Sequence, residues 1–333
     1  MSALDRDQPA VPQPRALPRT APAIAVPLFL IVLTIALLLL CEHLAPGFAT
    51  APNVLQLLKI ASFLGLIALG QTLVMLVGGI DLSVAWVLTG SAVVFTAVCA
   101  GQDGNTALAA AAAIGVGLVS GVINGFGIVK LKISPIVMTL AMNNIMLGTT
   151  LVYTGGTPSG AVSPLLRSLA TGAVWGVPYM VIVWGLIGTL AIVAIRYSRW
   201  GRRLLAVGEN AQVSYLNGIA NDRVVMGAYV ICGVTASVTG ILFAAFSGSS
   251  FLGMGDQFVL PAIAAVVLGG TSMFGGRGGY GGTFAAVVFT TILSTVLVIG
   301  NISAGVRGII FGVAILAALI AQRLLTRGED RDS

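Results

Sequence analysis

Charge is what this chain has least of. Only 8% of its 333 residues are Asp, Glu, Lys or Arg, against 57% hydrophobic residues. Histidine occurs once, at His43, and lysine only at Lys59, Lys130 and Lys132. A P-loop needs Gly-Lys followed by Ser or Thr. The three lysines follow Leu58, Val129 and Leu131, so the chain has no ATP site of that type. No hydrolytic constellation is visible, and His43 at the end of the first apolar run reads as a water-facing residue rather than an acid–base group. Cys41, Cys99 and Cys232 lie far apart in apolar segments, without metal or redox spacing, and read as small core residues. Strand-like alternation over about ten residues is absent, which argues against a barrel. The scarcity of ionisable groups in the apolar stretches argues against a proton or ion relay. The chain is thus expected to be non-catalytic, with no metal site and no cofactor of its own.

What remains is oil and glycine. Mean hydropathy is +1.02. Apolar runs of roughly 20 residues recur from Ile24 to Leu325, each long enough to cross about 30 Å of hydrocarbon. Backbone groups in lipid must be paired internally, so these runs are helices. The reading is an all-α integral membrane protein with about ten spans near 24–41, 54–77, 84–100, 107–128, 136–153, 179–195, 224–246, 257–270, 280–299 and 307–325. The eighth is short and holds Pro261, which marks it as broken or re-entrant. The 43 glycines suit close helix packing.

An even count puts both ends on one side. With both inside, all but three of the 17 basic residues fall on cytoplasmic segments, the exceptions being Lys59, Arg167 and Arg307. That asymmetry favours an N-in, C-in topology. The net charge of +6 therefore reports orientation and headgroup contact rather than nucleic acid. Residues 1–23, Pro-rich and polar, read as a disordered cytoplasmic tail rather than a signal peptide. Residues 24–325 form the membrane domain, and 326–333 a second cytoplasmic tail.

Two long segments lie outside the spans. Thr154 to Pro178 is rich in Gly, Pro and Ser and carries Trp175, an expected interfacial anchor. The other, 197–223, is basic, and its part Gly208-Glu209-Asn210-Ala211 begins a stretch that ends at Gly218. Glu209 or Asn210 is expected to start a short helix there and Gly218 to stop it. A folded loop in a chain without a soluble domain suggests docking to another subunit.

Asp81 is the most informative single residue. It sits in Gly78-Gly79-Ile80-Asp81-Leu82-Ser83, between two apolar stretches, and a buried unpaired carboxylate is expensive. Two readings stand open: Asp81 and Ser83 cap the helix from Val84, or this break takes part in gating. Gly269-Gly270 reads as a second turn between short helices. Gln71, Asn124, Thr139, Asn143 and Asn144 are polar groups in or near spans. Such amides and hydroxyls suit a sugar, whose hydroxyls donate and accept, and equally suit helix-to-helix bonding.

Several blocks are similar to the permease subunits of ribose-type sugar ABC importers. They are Gly70 to Val84, Asn124-Gly125, Lys130 to Leu140, Gly208 to Ile219, and Ala264 to Gly278, in family order over roughly 55–325. The resemblance implies a type II importer-like bundle, non-catalytic, that moves a monosaccharide or related polyol by alternating access. It implies a second permease subunit, two ATP-binding subunits or one tandem ATPase using ATP and magnesium, and a periplasmic or extracellular substrate-binding protein. It also makes Gly208, Glu209, Asn210, Ala211, Tyr215, Gly218 and Ile219 an ATPase-coupling segment. Tyr215 and Asn217 depart from the small residues common there, which bears on the choice of partner. An amino-acid or nucleoside permease, a secondary transporter and a channel are the rival readings.

Overall fold

The computed structural model describes residues 25–329. The tail at 1–23 and the last four residues of the tail at 326–333 lie outside the described residues. Thirteen α-helices follow in order: α1 Ala25–Leu44, α2 Ala51–Leu76, α3 Val84–Cys99, α4 Thr106–Val129, α5 Pro135–Thr154, α6 Pro164–Thr171, α7 Tyr179–Tyr197, α8 Arg199–Glu209, α9 Ala211–Leu216, α10 Asn221–Ser247, α11 Asp256–Leu268, α12 Tyr280–Ile299 and α13 Ala304–Glu329. One antiparallel two-residue hairpin, β1 Ala173–Val174 with β2 Val177–Pro178, precedes α7. Proline stands in the first turn of α2, α5 and α6, where its missing N–H costs nothing.

Each of the ten expected spans falls on a helix. Seven helices are long and apolar enough to cross a membrane, while Val84–Cys99, Asp256–Leu268 and Ala304–Ile320 are shorter apolar segments. At 1.5 Å per residue α11 covers only about 20 Å, less than the hydrocarbon thickness. Pro261 sits inside α11 without ending it. The segment 154–178, outside the spans, holds α6 and the hairpin. Ser163 caps α6 by accepting the Leu166 N–H at 3.3 Å.

α2 is the central post, with 89% of its most apolar window buried. Its glycines decide how close the neighbours come. A Cβ on Gly65 would overlap the Trp184 indole of α7. Trp184 stacks on Phe284 of α12 with centroids 4.1 Å apart. Its Nε1–H donates to Tyr280 Oη at 2.9 Å, and the Tyr280 hydroxyl donates to the Gly65 carbonyl at 2.7 Å. Three helices thereby share one closed hydrogen-bond chain in the core.

α4 and α10 approach most closely. Gly117, Gly121 and Gly125 recur every fourth residue of α4 and lie along α10, against Gly233, Tyr229 and Met226 respectively. Gly117 and Gly233 face each other so tightly that a Cβ on either would overlap the other's carbonyl oxygen. Lipid supplies no hydrophobic force between helices, so such backbone proximity is what holds them. By contrast α1, α4 and α5 turn Phe29, Val32, Phe126 and Val152 outward, as a lipid-facing surface requires.

Gly117→Leu is expected to destabilise the bundle by about 1–3 kcal/mol or more through overpacking. Gly115→Leu, with nothing within 4 Å of its added Cβ, is expected to be tolerated. Thermal unfolding of the two purified variants in one detergent checks the contrast.

Candidate functional site

The break after α2 closes its own backbone. The Gly78 N–H bonds the Met75 carbonyl at 2.9 Å and the Gly79 N–H bonds Val74 at 3.0 Å, the paired bonds of a Schellman stop. Gly78 supplies the φ of +79° that this stop needs. Gly79 is small for another reason, since a Cβ there would overlap the Tyr229 hydroxyl.

Asp81 is 1% exposed. Its Oδ1 accepts the Ser83 N–H at 2.8 Å and the Ser83 hydroxyl. Ser83 Oγ in turn accepts from Asn124 Nδ2 of α4 at 2.9 Å. Thr139 of α5 donates to the Ile80 carbonyl at 3.2 Å, while sharing the Pro135 carbonyl of its own helix at 2.9 Å. One network therefore gathers Asp81 and Ser83 with Asn124 and Thr139. Ser83 is not a side-chain cap of α3: its backbone is already helical and its hydroxyl bonds no helix N–H. That hydroxyl is committed to Asp81 and Asn124. Asp81 takes the cap-like role two residues earlier, as an Asx turn. No cation stands within salt-bridge distance of it among the described residues. Burial pushes its carboxyl above the usual carboxylate range, against the pull of the Ser83 donors.

A second junction lies beside this break. The Leu76 carbonyl at the end of α2 accepts the Gly276 N–H at 3.0 Å. Gly208 of α8 packs on that bond so closely that a Cβ would overlap both Leu76 O and Gly276 N. Gly275 and Gly276 adopt φ of +92° and +75°. A Cβ on Gly275 would stand 2.9 Å from both Gly208 O and Gly78 N. Arg277 meets Glu209 at 3.6 Å, both half exposed, a pair worth about 0–1 kcal/mol. The loop carrying these glycines starts at Gly269-Gly270, where α11 ends in another Schellman stop. The Gly270 N–H bonds Val267 at 3.0 Å and the Thr271 N–H bonds Val266 at 3.2 Å. Gly208 of α8, the α2 break and the far part of the 269–279 loop thus touch through backbone.

The segment 197–223 is two helices. Ser198 caps α8 through the Gly201 N–H at 2.9 Å. Asn210, rather than Glu209, caps α9 by accepting the Gln212 and Val213 N–H groups at 3.0 Å. Ser214 donates to Asn221 Oδ1 at 2.9 Å, and Asn221 Nδ2 donates to the Ala211 carbonyl at 2.6 Å, pinning α9 to the start of α10. Gly218, at φ +78°, stops it with bonds from Gly218 to Tyr215 and from Ile219 to Ser214. Outward from α9 stand Val213, Tyr215 and Leu216, the last two 72% and 77% exposed. Together they make an exposed apolar face on a segment outside the spans.

The other polar candidates lie elsewhere. Gln71 is 1% exposed in α2, and neither its side-chain oxygen nor its nitrogen finds a hydrogen-bond partner among the described residues. Asn143 is half-buried in α5 with its oxygen unbonded. Asn144 is exposed and bonds back to Leu140 of its own helix at 2.9 Å. The five polar candidates therefore do not form one lining.

The sequence profile described as the branched-chain amino acid transport system / permease component matches residues 53–323. The chain belongs to this permease family. It is 32% identical to the ribose import permease protein of Escherichia coli (strain K12) over 294 residues, 87% of this chain and 91% of the relative. It is 34% identical to the ribose import permease protein of Bacillus subtilis (strain 168) over 290 residues, 86% and 89% of the two chains. It is also 32% identical to the autoinducer 2 import system permease protein of Shigella flexneri over 267 residues, 78% and 76%. No solved structure matches. The ribose-type resemblance seen in the motifs therefore extends along most of the permease, an all-α multi-pass protein of the inner membrane.

Two features of the permease escape sequence reading. One is the Leu76–Gly276 bond, whose only trace is the Gly275-Gly276 pair. The other is the Trp184–Tyr280–Gly65 chain, formed by residues that look like ordinary interfacial aromatics. Asp81→Asn keeps an acceptor for Ser83 and is expected to leave stability nearly unchanged. Asp81→Leu orphans two buried donors and is expected to cost about 1–3 kcal/mol. Asn210→Ala, read by hydrogen exchange at α9, is expected to loosen that helix by about 1 kcal/mol.

Proposed function

We propose that this permease is the membrane subunit of an ATP-driven importer and passes a monosaccharide or related polyol inward by alternating access. The names of the ribose-import relatives support the sugar class. The scarcity of ionisable groups in the spans supports a conduit driven from outside rather than by an ion gradient. The proposed complex holds a second permease subunit, two ATP-binding subunits or one tandem ATPase that uses ATP and magnesium, and a separate substrate-binding protein. Ten crossings with both ends in the cytoplasm fit the basic residues. They put α8, α9, the α2 break and the 269–279 loop together on the cytoplasmic side.

The observation that carries the reading is the position of α9. It offers Val213, Tyr215 and Leu216 outward while the preceding helix α8, through Gly208, rests on the end of the central helix α2. An ATPase groove that seats this face would push on a rigid contact. The movement would pass to α2 and, through Gly276, to the α11–α12 loop. Rigid helices that move as bodies are the usual means of such switching. The Asp81 network joins α3, α4 and α5 to the same break, so one push reaches the rest of the bundle.

Tyr215→Ala is expected to weaken ATPase docking by about 2 kcal/mol, roughly 30-fold. Glu209→Gln and Gly218→Val are expected to reduce substrate-stimulated ATP hydrolysis without unfolding the bundle. Reconstituting each variant with the cognate ATPase and binding protein, then measuring hydrolysis and sugar uptake, checks both. Full stimulation in all three would refute the coupling assignment.

A further inference from the structure

The same end of the bundle carries a pocket that the transport reading does not use. Arg199, Arg202 and Arg203 of α8 converge with Ala206, Asn217, Gly218 and Ile219 around a cavity of about 400 Å³. None of the three guanidiniums has a carboxylate within salt-bridge distance among the described residues. The two acids nearby in the chain are already engaged, Glu209 with Arg277 and Asp222 with Lys130. Arg202 also donates to the Tyr197 carbonyl at 2.9 Å, which fixes its side chain at the end of α7. The pocket is therefore a cluster of positive charge with no internal counter-ion.

We infer that this pocket binds the phosphate headgroup of an anionic phospholipid. Depth favours lipid over a protein partner. α8 begins two residues after the end of the apolar helix α7, with only Ser198 between them. The arginines consequently leave the membrane at headgroup level. α8 is also strongly two-sided: Gly201, Leu204 and Val207 are buried and Arg202 and Arg203 exposed. The buried side packs into the core with Leu76, Ile195 and Tyr280, which leaves the arginines on the outer side of α8. Arginine forks match phosphate oxygens in pairs, and basic pockets at membrane level bind anionic headgroups. Asn217, Gly218 and Ile219 form the opposite wall, and they are the stop of α9. A bound headgroup would brace α8 against that stop and hold the coupling segment in position. This inference goes beyond the transport reading and stands without it.

The test is native mass spectrometry of the full permease, after incubation in nanodiscs of phosphatidylglycerol or phosphatidylcholine. The wild type is expected to retain phosphatidylglycerol selectively. Each arginine near an anionic surface is worth about fivefold, so Arg199→Gln/Arg202→Gln/Arg203→Gln together should lose roughly a hundredfold in that retention. The triple lysine variant, which keeps charge but loses the fork, should fall between, and Arg307→Gln should match the wild type. Because the lysine variant preserves the surface charge, it remains informative should the glutamine variant misfold. Displacement of retained lipid by millimolar inorganic phosphate would show that a free anion suffices and would overturn the lipid assignment. Equal retention by wild type and both triple variants would overturn the site. So would absence of lipid in a wild type whose arginines are needed only to capture the ATPase.

Discussion

A helix cannot simply stop inside a membrane protein, because no water waits to take its last carbonyls. This fold depends on how it meets that requirement. α2 and α11 end in the same pair of backwards bonds, built on Gly78 and Gly270, each with positive φ, and α9, outside the spans, repeats the stop at Gly218. Where local bonds do not suffice, a distant strand of backbone supplies one, as Gly276 does for Leu76. The permease is thus interrupted only where the interruption is chemically closed.

The same economy explains the glycines. Between helices in lipid, stabilisation comes from contact and not from expelled water. Gly117 against Gly233 and Gly208 against Leu76 are places where one methyl group would force backbones apart. Each also moves as a unit with its neighbour, since no compressible side chain lies between. Close backbone packing therefore gives both stability and stiffness, and a machine that passes displacement from one end to another needs the second.

Helix positions were legible because apolar runs of membrane length have few alternative folds, and the ten expected spans lie on helices. The breaks were legible too, because Gly78-Gly79, Gly269-Gly270 and Gly218 are residues that a helix stop requires. What could not be read was which break touches which. Gly208 and Gly276 are 68 positions apart, and nothing in composition relates them. Polar residues were harder still. Asn124, Thr139 and Gln71 look alike in sequence, yet Asn124 and Thr139 bond into the Asp81 network while Gln71 stays unpaired in α2. The difference is one of orientation across neighbouring helices, which a single chain read in order does not contain. Ser83 shows the same limit at short range: its type suits a cap, but Asn124, 41 positions away, claims its oxygen.

The two contacts between α8 and the 269–279 loop differ in what they can carry. Glu209 and Arg277 are half exposed, so water and salt screen their attraction, and the long side chains yield before they transmit force. The Gly208 contact has neither weakness. It is backbone against backbone, beside Gly276, and it cannot shorten without overlap of the Leu76 carbonyl. Displacement of α8 towards α2 must therefore move the end of α2 itself. Displacement away opens the contact freely and leaves the screened ion pair as the tether. Such a contact resists approach of α8 to α2 and yields on separation; under the proposed coupling role, that favours a cycle whose power stroke drives α8 inward and whose return is a relaxation of the bundle.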